Sequence, residues 1–198
     1  MIDNDLQRHA REFSGYLARH DYDVTDDGIH FPKAGAVAVG EYFFDTNGDR
    51  PETAKNLLTT EALNYLLETG VRAGTALPAW HLALFGSSYT PVPTITAATF
   101  AATAGEIVSG VEGYTESTRR PWTSVAVAGG VTDNTAARAS FTIATATSLT
   151  IRGAALLSDS VKGGTNGVLL SIARFPNDRT EYAGNVFNLG YRVRLRQP

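Results

Sequence analysis

After Pro78 the chain settles into one texture and keeps it to the end: short runs of β-forming residues separated by clusters of Gly, Pro, Asn, Asp and Ser. "AWHLALF", "EIVSGV", "TSVAVA", "ARASFTIATA", "SLTIRGAALL", "NGVLLSIARF" and "NVFNLGYRVRLR" follow one another at fairly regular intervals. Runs this short bury a face only by pairing with neighbours, and turns this frequent bring consecutive runs back antiparallel. Parallel sheets need amphipathic crossover helices between strands, and none separates these runs. The pattern predicts a mainly β fold, an antiparallel β-sandwich or jelly roll with an N-terminal α-helical extension. Nineteen glycines and a charged fraction of 19% agree with short strands and turns.

The extension reads as follows. Leu6, Ala10, Phe13 and Leu17 recur at helical spacing, with Asp3 or Asn4 placed to cap, so residues 3 to 20 form an amphipathic helix. Between Gly28 and Asp49 come extended pieces, "GIHFP" and "AVAVGEYFFD", closed by the tight-turn pair Asn47-Gly48. In "NLLTTEALNYLLETGV", Thr59 or Thr60 caps a second helix, Leu63, Leu66 and Leu67 share one face, and Gly70 stands where a left-handed C-terminal residue is wanted. The expected organisation is an N-terminal helix and extended arm over 1–55, a connecting helix over 56–78 and a sandwich over 79–198, with one core overall.

Charge and composition narrow the function classes. A formal charge of -3 and a pI near 5.8 provide no global positive field for phosphate backbones, so nucleic acid is not expected as a partner. The absence of cysteine removes disulfides, thiol catalysis and the common zinc frameworks. "MIDNDLQRHAREF" lacks the basic and apolar segments of a signal peptide, and no run approaches eighteen apolar residues, so the chain is expected to be made in the cytoplasm and to span no membrane. Low charge with many small β residues suits a surface covered by copies of itself or by partners.

No motif for chemistry survives alignment. His9, His20, His30 and His81 form no pair at metal spacing. "DYDVTDDGIHFP" and "DTNGDRPETAKN" begin like calcium loops, but Asp26 and Arg50 occupy the glycine position and Pro32 and Asn56 the final glutamate. "AGGVTDN" and "VKGGTNG" lack the ending of a phosphate loop, and "GSSYT" lacks a nucleophile turn. Glu106, Glu112, Glu116 and Glu181 are carboxylates that a glycosidase could pair, as any β protein with scattered glutamates could. No catalytic residue, cofactor site or metal site is expected.

Interface chemistry is better represented. "EGYTESTRRPW" gathers Tyr114, Arg119, Arg120 and Trp122, residue types that protein contacts concentrate. On a strand, "NLGYRVRLRQ" turns Leu189, Tyr191, Val193 and Leu195 one way and Arg192, Arg194 and Arg196 the other, the arginines about 7 Å apart. That row lacks the interleaved aromatics of a single-strand platform, which leaves an acidic protein partner or a solvated face. With Leu6, Phe13 and Leu17 of the first helix, these residues make up the expected partner interface.

The succession "NLLTTEALNYLLETGV", "AWHLALFGSSYTPVPT", "EGYTESTRRPWT", "DNTAARASFTI" and "IRGAALLSDSVKGGTNGVLLSIARF" resembles a plan found in small accessory virion proteins of tailed bacteriophages. The resemblance covers about residues 56 to 175 and implies a jelly-roll or sandwich module that decorates the capsid or the neck, as a cement or a collar. It implies a homo-oligomer, a capsid or portal/neck protein as partner, a place in the virion and no catalytic residues. The helix and arm before residue 56 are additional to that plan, and an amphipathic arm is an economical anchor on a lattice of identical sites. The alternative is a carbohydrate- or receptor-binding module of a phage tail, which would use aromatics such as Tyr89, Tyr114 or Trp122.

Overall fold

The computed structural model describes residues 23–25, 28–30 and 37–196, with side chains for 38–195. Two compact units divide the chain: 1–37 with 196–198, and 38–195. In the first, β1 (Asp23–Thr25) and β2 (Gly28–His30) pair antiparallel, with Val24 opposite Ile29. The helix expected over 3–20, with Leu6, Phe13 and Leu17, lies outside the described residues.

The second unit holds two sheets, and every described strand pairing is antiparallel. Sheet one runs β4 (Glu52–Lys55), β3 (Val37–Thr46), β13 (Val186–Arg196), β10 (Ala139–Ala144), β7 (Gly113–Tyr114), and β9 (Val131–Asp133) also pairs with β13. Sheet two runs β5 (Leu57–Leu58), β12 (Leu169–Glu181), β11 (Leu149–Leu157), β6 (His81–Phe85), β8 (Arg120–Pro121). This is the expected β-sandwich. It begins earlier than expected, however, because β3 and β4 are strands of sheet one; the unit boundary falls at 37/38 and not at 78/79.

Sheet one alternates as a half-buried sheet should. Ala139, Phe141 and Ile143 of β10 and Phe187, Leu189 and Tyr191 of β13 turn inward beside Tyr42 and Phe44. The rings interlock, Phe44 stacking on Phe175 at 3.9 Å and Tyr42 tilting on Tyr191 at 4.7 Å.

Sheet two is apolar on both faces. Leu82 and Leu84 of β6 point to sheet one, while Ala83 and Phe85 point away. That outer side is covered by Ile95, by α2 (Ala97–Phe100) and by the π-helical turn Ala101–Gly105. The result is two apolar layers where one core was expected, and it accounts for the unbroken apolar run "LALF". Gly153 lies opposite Phe85, where a Cβ would sit 2.1 Å from the ring and 2.3 Å from the Ala173 carbonyl oxygen. Between Ile151↔Arg179 and Gly153↔Arg174 the register slips, and the surplus residues of β12 include Pro176, which a regular interior strand would not admit.

Two expected strands are absent as such. "EIVSGV" contributes only a bridge from Glu106 to Phe85, and "TSVAVA" leads to a turn closed by the bridge Ala128↔Val131. The Asn47-Gly48 turn is present, with φ of 53° and 84° at the two residues. The second helix is α1 (Thr60–Gly70), capped by the Thr59 hydroxyl, which accepts from the Ala62 amide at 3.0 Å. Gly70 is not its left-handed terminator; the positive φ falls on Ala73, at 57°.

Candidate functional site

The segment richest in interface residue types folds inward. Arg119 is fully buried, and its guanidinium meets the Glu106 carboxylate edge to edge: Nε donates to Oε1 and Nη2 to Oε2, each at 2.7 Å. Nη1 donates to the Asp159 carbonyl and Nη2 also to that of Gly164, both at 3.0 Å. The Gly163 amide donates to Glu106 Oε2 at 3.0 Å, and the Arg119 amide to the Ser160 carbonyl at 2.8 Å. A buried charge survives only when paired and hydrogen-bonded, and this pair spends its bonds fastening the loop around 159–164 to the end of sheet two. Four of the five N–H donors of Arg119 are engaged by protein acceptors, and the guanidinium is fully buried, away from the surface.

Tyr114 is buried edge-on against Phe141, with Lys162 Nζ 3.5 Å from its ring centroid and donating to its carbonyl at 2.9 Å. Burial raises the Tyr114 phenol and lowers the Lys162 ammonium, the latter opposed by Glu116 and Glu106. Trp122 packs against the core, its indole N–H donating to the Tyr191 carbonyl at 3.0 Å. Arg120 is half-buried. Tyr114 and Arg119 are therefore framework residues and not the partner contact expected of them, and Tyr114 is lost to the carbohydrate reading as well, whereas Trp122 is only half-buried.

The other candidates are committed in the same way. Glu112 accepts from Thr145 and the Ala146 amide, Glu116 from the Thr142 hydroxyl and amide, and Glu181 from Thr46 at 2.5 Å and Asn185 at 2.9 Å. With Glu106 on Arg119, each carboxylate has its own structural partner. Asp45, first in the second calcium-like stretch, accepts from the Gly48 amide and Asn188 at 3.0 Å and faces Arg138. In the first stretch Asp23–Thr25 is an extended strand paired with Gly28–His30, which is not a wrapped ion loop. Among the described residues no group of three or more His, Asp or Glu could hold a metal.

On the C-terminal strand Arg192 lies 3.3 Å from Asp133 and 3.9 Å from Glu41, with its guanidinium 5.6 Å from the Phe43 ring centroid. Arg194 is exposed, and Arg196 ends β13 with its side chain outside the described residues. The predicted alternation shows in the buried Leu189 and Tyr191 but fades toward the end of the strand, where Leu195 is exposed along with Arg194, and acidic neighbours occupy the first arginine.

What the surface does offer is apolar. On α1 the side chains of Leu63, Leu66, Leu67 and Val71 are 48%, 42%, 59% and 76% exposed. The predicted leucine face is real but points outward, because the helix is held from its other side. Thr59 donates to the Leu169 carbonyl at 2.5 Å; Glu61 Oε2 accepts from the Leu169 amide at 2.7 Å and the Ala97 amide at 2.9 Å. Ala62 is buried, Tyr65 sets its ring against Trp80, and the Tyr65 hydroxyl accepts from the Leu77 amide. Spacing identified this face; which way it points depended on capping contacts to Leu169 and Ala97, residues remote in sequence. The chain matches no family model and no curated protein.

Proposed function

We propose that this protein is a non-enzymatic structural component of a tailed-phage virion, assembling with copies of itself and seating on the capsid or neck as a decoration, cement or collar protein. The observation that carries the reading is the outward leucine face of α1, an apolar surface on a rigidly held helix in a chain of low charge. The commitment of Glu106, Glu112, Glu116, Glu181 and Arg119 to framework bonds supports a protein whose work is contact and not turnover. The resemblance over about residues 56 to 175 supplies the setting.

Peptide mapping of purified particles tests it. The chain is expected as a component at fixed stoichiometry with the major capsid or portal protein. Particles that lack it, while the lysate contains it free, reject the reading.

A further inference from the structure

Two asparagines of the chain are followed by glycine, Asn47 and Asn166, and both are exposed. Glycine has no Cβ, so its amide nitrogen lies open to the preceding side chain. Once deprotonated, that nitrogen attacks the asparagine Cγ. A new C–N bond closes a five-membered succinimide, the Cγ–Nδ2 bond breaks, and the side-chain nitrogen leaves as ammonia with the proton the glycine amide gave up. Water then opens the ring at one of its two carbonyls, leaving aspartate or, with the main chain rerouted through Cγ, isoaspartate. One amide becomes one carboxylate, water is consumed, and no oxidant or cofactor takes part.

We infer that Asn166 is a self-modification site, deamidating through the Gly167 amide, and that the fold shields Asn47 from the same reaction. Exposure does not separate the two; hydrogen bonding does. Asn47 Oδ1 accepts from the Val186 amide at 2.8 Å, and Nδ2 donates to Asn185 Oδ1 at 3.3 Å, so the carboxamide is pinned to the start of β13. The Gly48 amide, the nucleophile of that pair, donates to Asp45 Oδ1 at 3.0 Å. Ring closure at Asn47 therefore requires both reacting groups to leave their partners.

At Asn166 the tethers stop on either side of the pair. Arg119 Nη2 holds the Gly164 carbonyl at 3.0 Å; the Val168 amide donates to Ser158 Oγ at 2.8 Å, and the Ser158 amide donates to the Val168 carbonyl at 3.0 Å. Between these anchors Thr165, Asn166 and Gly167 make no hydrogen bond among the described residues. Nor does the fold admit a bulkier residue after Asn166. Gly167 has φ of 86°, and a Cβ on it would lie 2.3 Å from Ser158 Oγ, so the open amide is required by the loop itself. The product adds a negative charge at the tip of a loop whose base the buried Arg119–Glu106 pair clamps, so surface charge changes with age while the sandwich stays folded. None of this depends on the virion reading.

The full chain is incubated at mildly alkaline pH, folded or in guanidinium chloride, and digested with trypsin, an aliquot digested at the outset giving the baseline. Peptides 163–174 and 34–55 carry Asn166 and Asn47 respectively as their sole asparagine. In the folded chain 163–174 is expected to gain about 1 Da and to split into aspartyl and isoaspartyl forms. Its rate should exceed that of 34–55 by about tenfold or more, because Gly48 must first break a hydrogen bond to a carboxylate. In guanidinium chloride the two rates should converge. Equal rates in the folded chain, faster conversion at Asn47, or an Asn166 that stays intact while the denatured chain converts overturns the inference. A contrast that persists undiminished in guanidinium chloride belongs to the flanking residues and overturns the shielding assigned to the fold.

Discussion

The ring of Phe43 occupies the space a side chain on Gly190 would need: a Cβ there would lie 2.0 Å from Phe43 Cε2 and 2.2 Å from Cζ. Phe43 thus covers the outer side of β13, with Arg192 over its ring. Gly190→Ala is expected to cost about 1–3 kcal/mol, and Phe43→Leu in the same chain should recover part of it, since the nearest obstruction is that one ring. Gly153→Ala should gain much less from Phe85→Leu, because the Ala173 carbonyl is also within 2.3 Å of the new Cβ. Urea unfolding of the two single and two double variants checks the contrast.

Removing one partner of the buried ion pair should be far more damaging than replacing both. Glu106→Ala leaves the Arg119 guanidinium buried and uncompensated, and about 3–5 kcal/mol of stability should go with it. Glu106→Leu with Arg119→Met should lose less than either single change. Amide exchange at Gly163, whose N–H Glu106 accepts, should accelerate in the Glu106 single variant.

Acid should weaken the fold through His81. Burial, the largest influence, lowers its imidazole from the usual 6.5, opposed by a hydrogen bond with the Ser158 backbone and the charge of Asp159 and assisted by Arg119. A base harder to protonate when folded gives a stability that is complete above about pH 6.5 and is lost as pH falls through the folded value. Thermal unfolding from pH 7 downward should show a steeper decline in wild type than in His81→Asn.

The hook of Glu61 onto two amides is a local contribution that substitution can isolate. Glu61→Ala leaves the Leu169 and Ala97 amides without their acceptor and should cost about 1–3 kcal/mol. Glu61→Asp, too short to reach both, should fall between. Denaturant midpoints at constant slope measure the order.

The C-terminal arginines should not grip nucleic acid. With Arg192 beside Asp133 and Glu41, the isolated protein is expected to show no salt-dependent retention of single-stranded DNA, and Arg194→Ala should change nothing in a filter-binding titration.

The sandwich was legible because its signal is periodic: β10 alternates inward and outward residue by residue, Phe187, Leu189 and Tyr191 of β13 fall inside at every second position, and turn formers mark the strand ends. Sheet two was legible as strands but not as a middle layer, since an apolar run on β6 does not say what covers its second face; Ile95 and Phe100 do, from a segment whose helix is only four residues long. The site was legible in composition and mistaken in direction. Arg119 and Trp122 have the chemistry of a contact surface, and what turns Arg119 inward is a carboxylate on another element, Glu106, with carbonyls supplied by Asp159 and Gly164. Leu63, Leu66 and Leu67 have the chemistry of a core face and lie outside it.

The attachment of α1 also decides where a mechanical load would go. A pull on the leucine face is passed through Thr59 and Glu61 to Leu169, the first residue of β12, and through Glu61 to the start of α2. β12 is paired along most of its length with β11, so tension enters the longest of the described strands and not a dangling loop. A chain fastened to its neighbours there would resist being peeled away until the sheet itself gave.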